Sequence, residues 1–204
     1  MKARLLAITA KILTGSNVRW VNCQPDTCQR VYFANHTSHL DTLVLWAALP
    51  AEVRTLTRPV AARDYWKAGK IRFYLATRVF NAVLIEREHV SRQNNPLDVV
   101  LEAIGDRYSL ILFPEGTRGL GPEVAPFKCG LYHLARARRD LELVPVYLEN
   151  LNRILPKGEF LPVPLLSSIL FGPPIRLMDN EPKAAFLERA RQTLCSSKYS
   201  QILP

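Results

Sequence analysis

Val31-Tyr32-Phe33-Ala34-Asn35-His36-Thr37-Ser38-His39-Leu40-Asp41-Thr42-Leu43-Val44-Leu45-Trp46 decides the fold class, because its character changes once along its length. Val31 to Ala34 form a continuous apolar run, rich in β-branched and aromatic residues, as expected of a buried strand. From Leu40 to Leu49 the residues suit a helix. A buried strand that passes through a short polar turn into a helix is the unit of α/β folds, and such turns hold functional residues.

The turn contains His36 and Asp41. On a continuous helix five residues amount to about 500° of rotation, so the two side chains would not share a face, and His36 is placed before the helix. Histidine, with a reference pKa of about 6.5, suits the removal of a proton from a weak nucleophile such as an alcohol. The nitrogen that takes the proton works best when an acceptor holds the N–H of the other nitrogen. His36 is therefore the candidate base and Asp41 its candidate orienter. Ser38-His39-Leu40-Asp41 also fits a capping box, with Ser38 as N-cap and Asp41 at the third helical position. The expectation that joins both roles gives one carboxylate oxygen to the cap and the other to His36. His36, His39 and Asp41 lack a fourth ligand for a structural metal, and no metal is expected.

A second strand-to-turn unit lies downstream. Ser109-Leu110-Ile111-Leu112-Phe113 reads as a buried strand that delivers Glu115, Gly116, Thr117 and Arg118 to its C-terminal end, where α/β folds bind ligands. Gly116 allows positive φ or close backbone approach, and Arg118 offers a planar fork of donors suited to phosphate oxygens.

Asn35-His36-Thr37-Ser38-His39-Leu40-Asp41 and Phe113-Pro114-Glu115-Gly116-Thr117-Arg118 resemble the first and third signature blocks of the 1-acylglycerol-3-phosphate (lysophosphatidic acid) acyltransferases. The second block is similar to Asn81-Ala82-Val83-Leu84-Ile85-Glu86-Arg87, where Asn81 stands for the family's glycine and Leu84 for its aromatic. Val144-Pro145-Val146 resembles the fourth, and Lys128 stands where the family often has a lysine. The resemblance covers approximately Val18 to Leu177.

It implies transfer of a fatty acyl group from acyl-CoA or acyl carrier protein, as donor substrate, to the hydroxyl of a lysophospholipid, with His36 as base and no cofactor. Arg87 and Arg118, with Lys128, would hold the acceptor phosphate, while Glu115, Gly116 and Thr117 would shape the acceptor pocket. Another lysolipid or glycerol 3-phosphate is the alternative acceptor. The non-enzymatic alternative is a peripheral lipid-binding protein.

Composition fits a folded single domain over residues 15–204: the 204 residues are 48% hydrophobic and 22% charged. Charge is unevenly spread. Of the net +9, residues Ala51 to Arg92 supply nine Lys or Arg against four acids, with Tyr65, Trp66, Phe73, Tyr74 and Phe80 among them. Cations with amphipathic rings suit an anionic lipid surface. Nucleic acid would also suit such a face, but leaves His36, Asp41 and Glu115 without a reason, and no nucleic-acid partner is expected. No apolar run reaches the roughly 20 residues needed to cross a bilayer. Residues 1–14 place Leu5, Ile8 and Ile12 on one stripe of an amphipathic helix that would contact the membrane, so peripheral or monotopic attachment at the cytoplasmic face is expected.

The remaining pattern alternates strand and helix and predicts a mixed, mostly parallel sheet flanked by helices. Strands are expected at Val18–Cys23, Arg30–Asn35, Arg58–Arg63, Ala82–Glu86, from Ser109, at Glu142–Leu148 and, bent, at Ser168–Leu177. One broken helix is expected over Asp64–Arg78, and others over Phe127–Arg138 and Glu181–Cys195. Asn95-Pro96 reads as a helix start and Gly105 as its end. The proline-rich stretch between Leu155 and Pro174 would either cover an acyl chain, touch lipid or simply pack. Cys23, Cys28, Cys129 and Cys195 form no disulfide framework and read as reduced thiols.

Overall fold

In a computed structural model that describes residues 2–86, 95–119, 123–151 and 167–199, the strand of residues 30–34 lies inside a seven-stranded sheet. The strands are β1 (Asn17–Trp20), β2 (Arg30–Ala34), β3 (Thr57–Ala62), β4 (Val83–Ile85), β5 (Ser109–Leu112), β6 (Glu142–Glu149) and β7 (Ser168–Phe171), in the order β1-β7-β6-β2-β5-β3-β4. β6, β2, β5, β3 and β4 run parallel, while β7 pairs antiparallel with β6 and β1 runs with β7. All five residues of β2 are buried, because β2 has a parallel neighbour on each side and helices over both faces.

Alternation along the strands divides the core in two. Tyr32, Ala34, Ile111, Val144 and Val146 face α1 (Lys2–Thr14) and α2 (Asp41–Ala48). Val31, Phe33, Leu110 and Leu143 face α6 (Pro96–Ile104), α7 (Gly130–Ala137) and α8 (Lys183–Tyr199). Between β2 and β4 the chain also forms α3 (Ala51–Thr55), α4 (Arg63–Lys67), α5 (Lys70–Tyr74) and a π-helical turn over Leu75–Val79. α3 was not expected from the sequence, and the helix expected over Asp64–Arg78 is three short pieces, broken where Gly69 takes an extended conformation. Asn81, in the place of the family's glycine, has φ of 50°. It occupies the left-handed region, which asparagine tolerates better than most side chains do.

α6 begins and ends where local chemistry predicts: Asn95 Oδ1 accepts from Leu97 N at 3.1 Å, Pro96 follows, and Gly105 closes the helix at φ 46°. α7 starts three residues later than expected. Lys128 N donates to Pro114 O at 2.8 Å, and this ties Phe127 and Lys128 to the loop after β5 instead of to a helical turn. The last strand stops at Phe171, with only an isolated bridge at Ile175 to Leu143. Arg87 and residues 155–166 of the proline-rich stretch lie outside the described residues.

α1 packs on α2 through Ala7 and Ala10, so Leu5, Ile8 and Ile12 point outward. Ile71, Phe73 and Tyr74 of α5 are also exposed, on the same side of the sheet, where Trp66, Leu75 and Phe80 join the core cluster of α1 and α2. Among the described residues no helix is long and apolar enough to cross a membrane.

Candidate active site

Four parallel strands end at one place: His36 follows β2, Tyr65 and Trp66 follow β3, Glu86 follows β4, and residues 113–119 follow β5. This is the carboxyl edge at which open α/β sheets bind ligands. His36 is held there by its backbone on both sides. Asn35 clamps the chain to β6, with Leu148 N donating to its Oδ1 at 2.8 Å and its Nδ2 donating to Leu148 O at 2.9 Å. His36 N donates to Glu115 Oε1 at 2.7 Å, and His36 O accepts from Gly119 N at 2.8 Å. The imidazole stacks on Phe113 with centroids 4.4 Å apart.

The Asp41 carboxylate is fully buried, and its Oδ2 lies 2.8 Å from His36 Nδ1. The same oxygen accepts from Thr37 N at 2.6 Å and Ser38 N at 2.8 Å. The division of labour expected from sequence is thus different in the structure: Oδ2 serves both the turn and the ring, while Oδ1 is buried with no hydrogen-bond partner among the described residues. The cause is the helix boundary. α2 begins at Asp41, with Leu40 as its N-cap and no side-chain cap bond, so Asp41 reaches back over the turn from the first helical position. An oxygen that receives two backbone N–H groups is acting as an acceptor, which assigns the proton of the pair to Nδ1 and leaves Nε2 as the basic nitrogen.

Glu115 occupies a different role from a pocket-lining acid. It is nearly sealed from solvent, and its second oxygen accepts from Ala125 N at 2.9 Å, so one carboxylate joins the His36 turn to the backbone at Ala125. Burial pushes its pKa up, against the pull of the two backbone N–H bonds from Ala125 and His36. Gly116 has φ of 72°, and a Cβ there would come within 2.8 Å of Lys128 Cδ and Nζ, so the lysine lies directly over the glycine. Thr117 and Arg118 line a cavity of about 340 Å³ together with His36, His39 and Tyr65. Lys128 lines a second, more apolar cavity of about 490 Å³, walled by Val100 of α6 and by Leu131 and Leu134 of α7. Val60, Ile85, Leu112, Phe113 and Gly116 belong to both, so the cavities share a wall.

At the mouth of the first cavity Arg118 Nη1 lies 2.6 Å from His39 Nε2, and His39 Nδ1 contacts the Tyr65 hydroxyl. The His39 ring stacks on Tyr65 at an interplanar angle of 24°. The guanidinium carbons of Arg118 and Arg72 lie 5.1 and 4.9 Å from the Tyr65 ring centroid. Partial desolvation, then the charges of Arg118 and Arg72, hold the His39 pKa below the usual imidazole value. His39 and Tyr65 were not expected at the site. The only signal for His39 is its place in the His36 turn, and Tyr65 stood out in sequence only as one of several aromatics in a basic segment. Among the described residues no group of three or more His, Cys, Asp or Glu could hold a metal.

A family model described as Acyltransferase matches residues 21–149, which contain His36, Asp41, Arg87, Glu115, Arg118 and Lys128. A 1-acyl-sn-glycerol-3-phosphate acyltransferase of Limnanthes douglasii is 29% identical over 73% of this chain and 51% of its own length. The 1-acyl-sn-glycerol-3-phosphate acyltransferase alpha of Mus musculus is 29% identical over 76% of this chain and 53% of its own. That of Helicobacter pylori is 31% identical over 70% and 57%. The chain therefore spans about half the length of the curated relatives it matches. Among solved structures, the 1-acyl-sn-glycerophosphate (LPA) acyltransferase PlsC from Thermotoga maritima shares the fold, with a TM-score of 0.76 at 18% identity, over 100% of this chain and 80% of that one.

Proposed function

Since this chain belongs to the Acyltransferase family, we propose that it transfers a fatty acyl group from a thioester donor to the free hydroxyl of 1-acylglycerol 3-phosphate, giving phosphatidic acid. The donor is acyl-CoA or acyl carrier protein. One observation carries this reading: the His36 ring, held at Nδ1 by a buried carboxylate, lines a cavity that bears Arg118 at its mouth and an apolar chamber behind its wall. A phosphorylated lipid alcohol and a fatty thioester need that combination of base, cation and apolar volume.

In this mechanism Nε2 of His36 takes the proton of the acceptor hydroxyl as its oxygen bonds to the thioester carbonyl carbon. The carbon–sulfur bond then breaks. The departing sulfur takes the proton from the imidazolium, so an ester and a free thiol form and His36 returns to neutrality. Asp41 steadies the imidazolium in between. No acyl-enzyme is required. Arg118 with Lys128 and Arg87 binds the acceptor's phosphate, Thr117 lines its pocket, and the apolar cavity takes a fatty chain.

The substrates are lipids, and we place the protein peripherally on the cytoplasmic face of a membrane. Support comes from the outward Leu5, Ile8 and Ile12 of α1 and the exposed Ile71 and Phe73 of α5, with Lys67, Lys70 and Arg78 close by in sequence. Apolar side chains seat at the headgroup boundary and cations draw the anionic leaflet.

The test is thiol release by purified protein, with both donor types and a panel of lysolipid and glycerol 3-phosphate acceptors. His36→Ala is expected to abolish release while leaving the circular dichroism spectrum intact. Undiminished release by that variant, or none by the wild type with any acceptor, overturns the reading in favour of a lipid-binding protein without catalysis.

A further inference from the structure

Tyr65 holds two guanidinium groups. Arg118 reaches it from the loop after β5 and Arg72 from α5, each about one cation–ring distance away, at 5.1 and 4.9 Å from the centroid. Arg30, Arg63, Arg138, Arg139, Arg176, Arg189 and Arg191 each lie within 4.0 Å of a carboxylate oxygen. Among the described residues Arg72 and Arg118 have no such partner, like Arg54, Arg58 and Arg107, which also lie over aromatic rings; what sets the Tyr65 pair apart is that Tyr65 and Arg118 line the cavity of His36. Arg118 and Arg72 also bear on His39, whose pKa burial and then their charges hold down. Two like charges gathered on one ring repel each other, and an anion relieves that repulsion.

We infer that Arg72 is a further cation for the acceptor's phosphate monoester, added to Arg118, Lys128 and Arg87 and brought beside Arg118 by the Tyr65 ring they share. This rests on the reading of the site as a lysophospholipid acyltransferase. Arg72 lies outside all four signature blocks of the resemblance. Tyr65 is a positioning residue: its ring holds the two forks.

Kinetics in neutral detergent micelles, which remove any contribution of membrane charge, test this. Arg72→Ala is expected to raise KM for 1-acylglycerol 3-phosphate about tenfold, the order of one charge-assisted contact, with kcat changed far less. The preference for this acceptor over uncharged monoacylglycerol falls by the same factor. Arg72→Lys recovers part of the loss, and Tyr65→Phe, which keeps the ring, preserves KM better than Tyr65→Ala.

Calorimetric titration with glycerol 3-phosphate gives a readout independent of turnover, and its Kd is expected to rise about tenfold in Arg72→Ala. A wild type that binds glycerol 3-phosphate through Arg72 without transferring acyl groups sinks the enzymatic reading and leaves this inference standing. Unchanged KM and Kd in Arg72→Ala overturn the inference. So does a variant that loses only sedimentation with anionic vesicles, since Arg72 would then serve the membrane surface.

Discussion

The two ends of one cavity are built on opposite principles. At the floor, His36 is fixed through its backbone by Glu115 and Gly119, through Asn35 by β6, and through Nδ1 by a buried carboxylate. At the mouth, Arg118 and His39 are held on the Tyr65 ring, which Arg72 meets as well, with no carboxylate partner for either arginine among the described residues. The proton transfer proposed for His36 needs placement to fractions of an ångström before substrate arrives, and the ring and its backbone are held from several sides. A group that recognises an anion is more useful with its charge unspent. The contrast predicts that damage at the floor shows in turnover and damage at the mouth in affinity.

The largest test of that division is His36→Ala. Loss of the base should lower kcat by roughly 10²–10⁴-fold with KM for the acceptor little moved; a rise in KM alone would erase the distinction. Asp41→Asn should cost less, about 10- to 100-fold in kcat. The asparagine oxygen must point at the two backbone N–H groups of Thr37 and Ser38, and in that orientation it still accepts from Nδ1. The tautomer survives and only the stabilising charge is lost. A loss as large as that of His36→Ala would show that the amide has turned over.

Glu115→Gln separates support from chemistry. Glutamine has one acceptor oxygen for the two N–H groups of His36 and Ala125, so one is left facing an amide donor. Chemical denaturation should show a loss of about 1–3 kcal/mol. The pH dependence sharpens the point. A carboxyl with a pKa raised by folding favours the native state while protonated, so its contribution is present below the unfolded value of 4.5 and is lost as pH rises through the elevated native value. The variant, with nothing to titrate there, should show a flatter stability profile over that window.

Gly116→Ala is the smallest change and links the two ends. Its φ of 72° costs an alanine about 1–2 kcal/mol, and the new methyl displaces Lys128, so acceptor KM should rise a few-fold while kcat holds.

Much of the fold was legible because the signals are local. The β2 apolar run, the Asn95-Pro96 start and Gly105 end of α6, and the β5 run before Pro114 were read correctly, since cap, turn and burial pattern lie within a few residues of each other. α7 was read too long because the bond from Lys128 N to Pro114 O competes with the first helical turn, and nothing near Phe127 announces it. The segment between β3 and β4 was read as a helix without the break at Gly69 being placed. The contact of His36 with Asp41 was legible from their spacing, and the place of Arg118 after β5 from the run before Pro114, whereas the bonds of Glu115 to two backbone N–H groups and the stacking on Tyr65 were not.

Strand-turn-helix order, the class of the sheet and the edge on which a ligand would sit were determined by the sequence alone, because periodicity and turn chemistry act over a handful of residues. Only the tertiary structure decided which oxygen of Asp41 works, that Glu115 ties two loops, and that Arg72 meets Arg118 on one ring. His36 and Glu115 stand 79 positions apart, as do His39 and Arg118. Parallel pairing of β2 with β5, and of β5 with β3, closes those distances, and contacts that exist only once strands are in register leave no mark on the residues beside them.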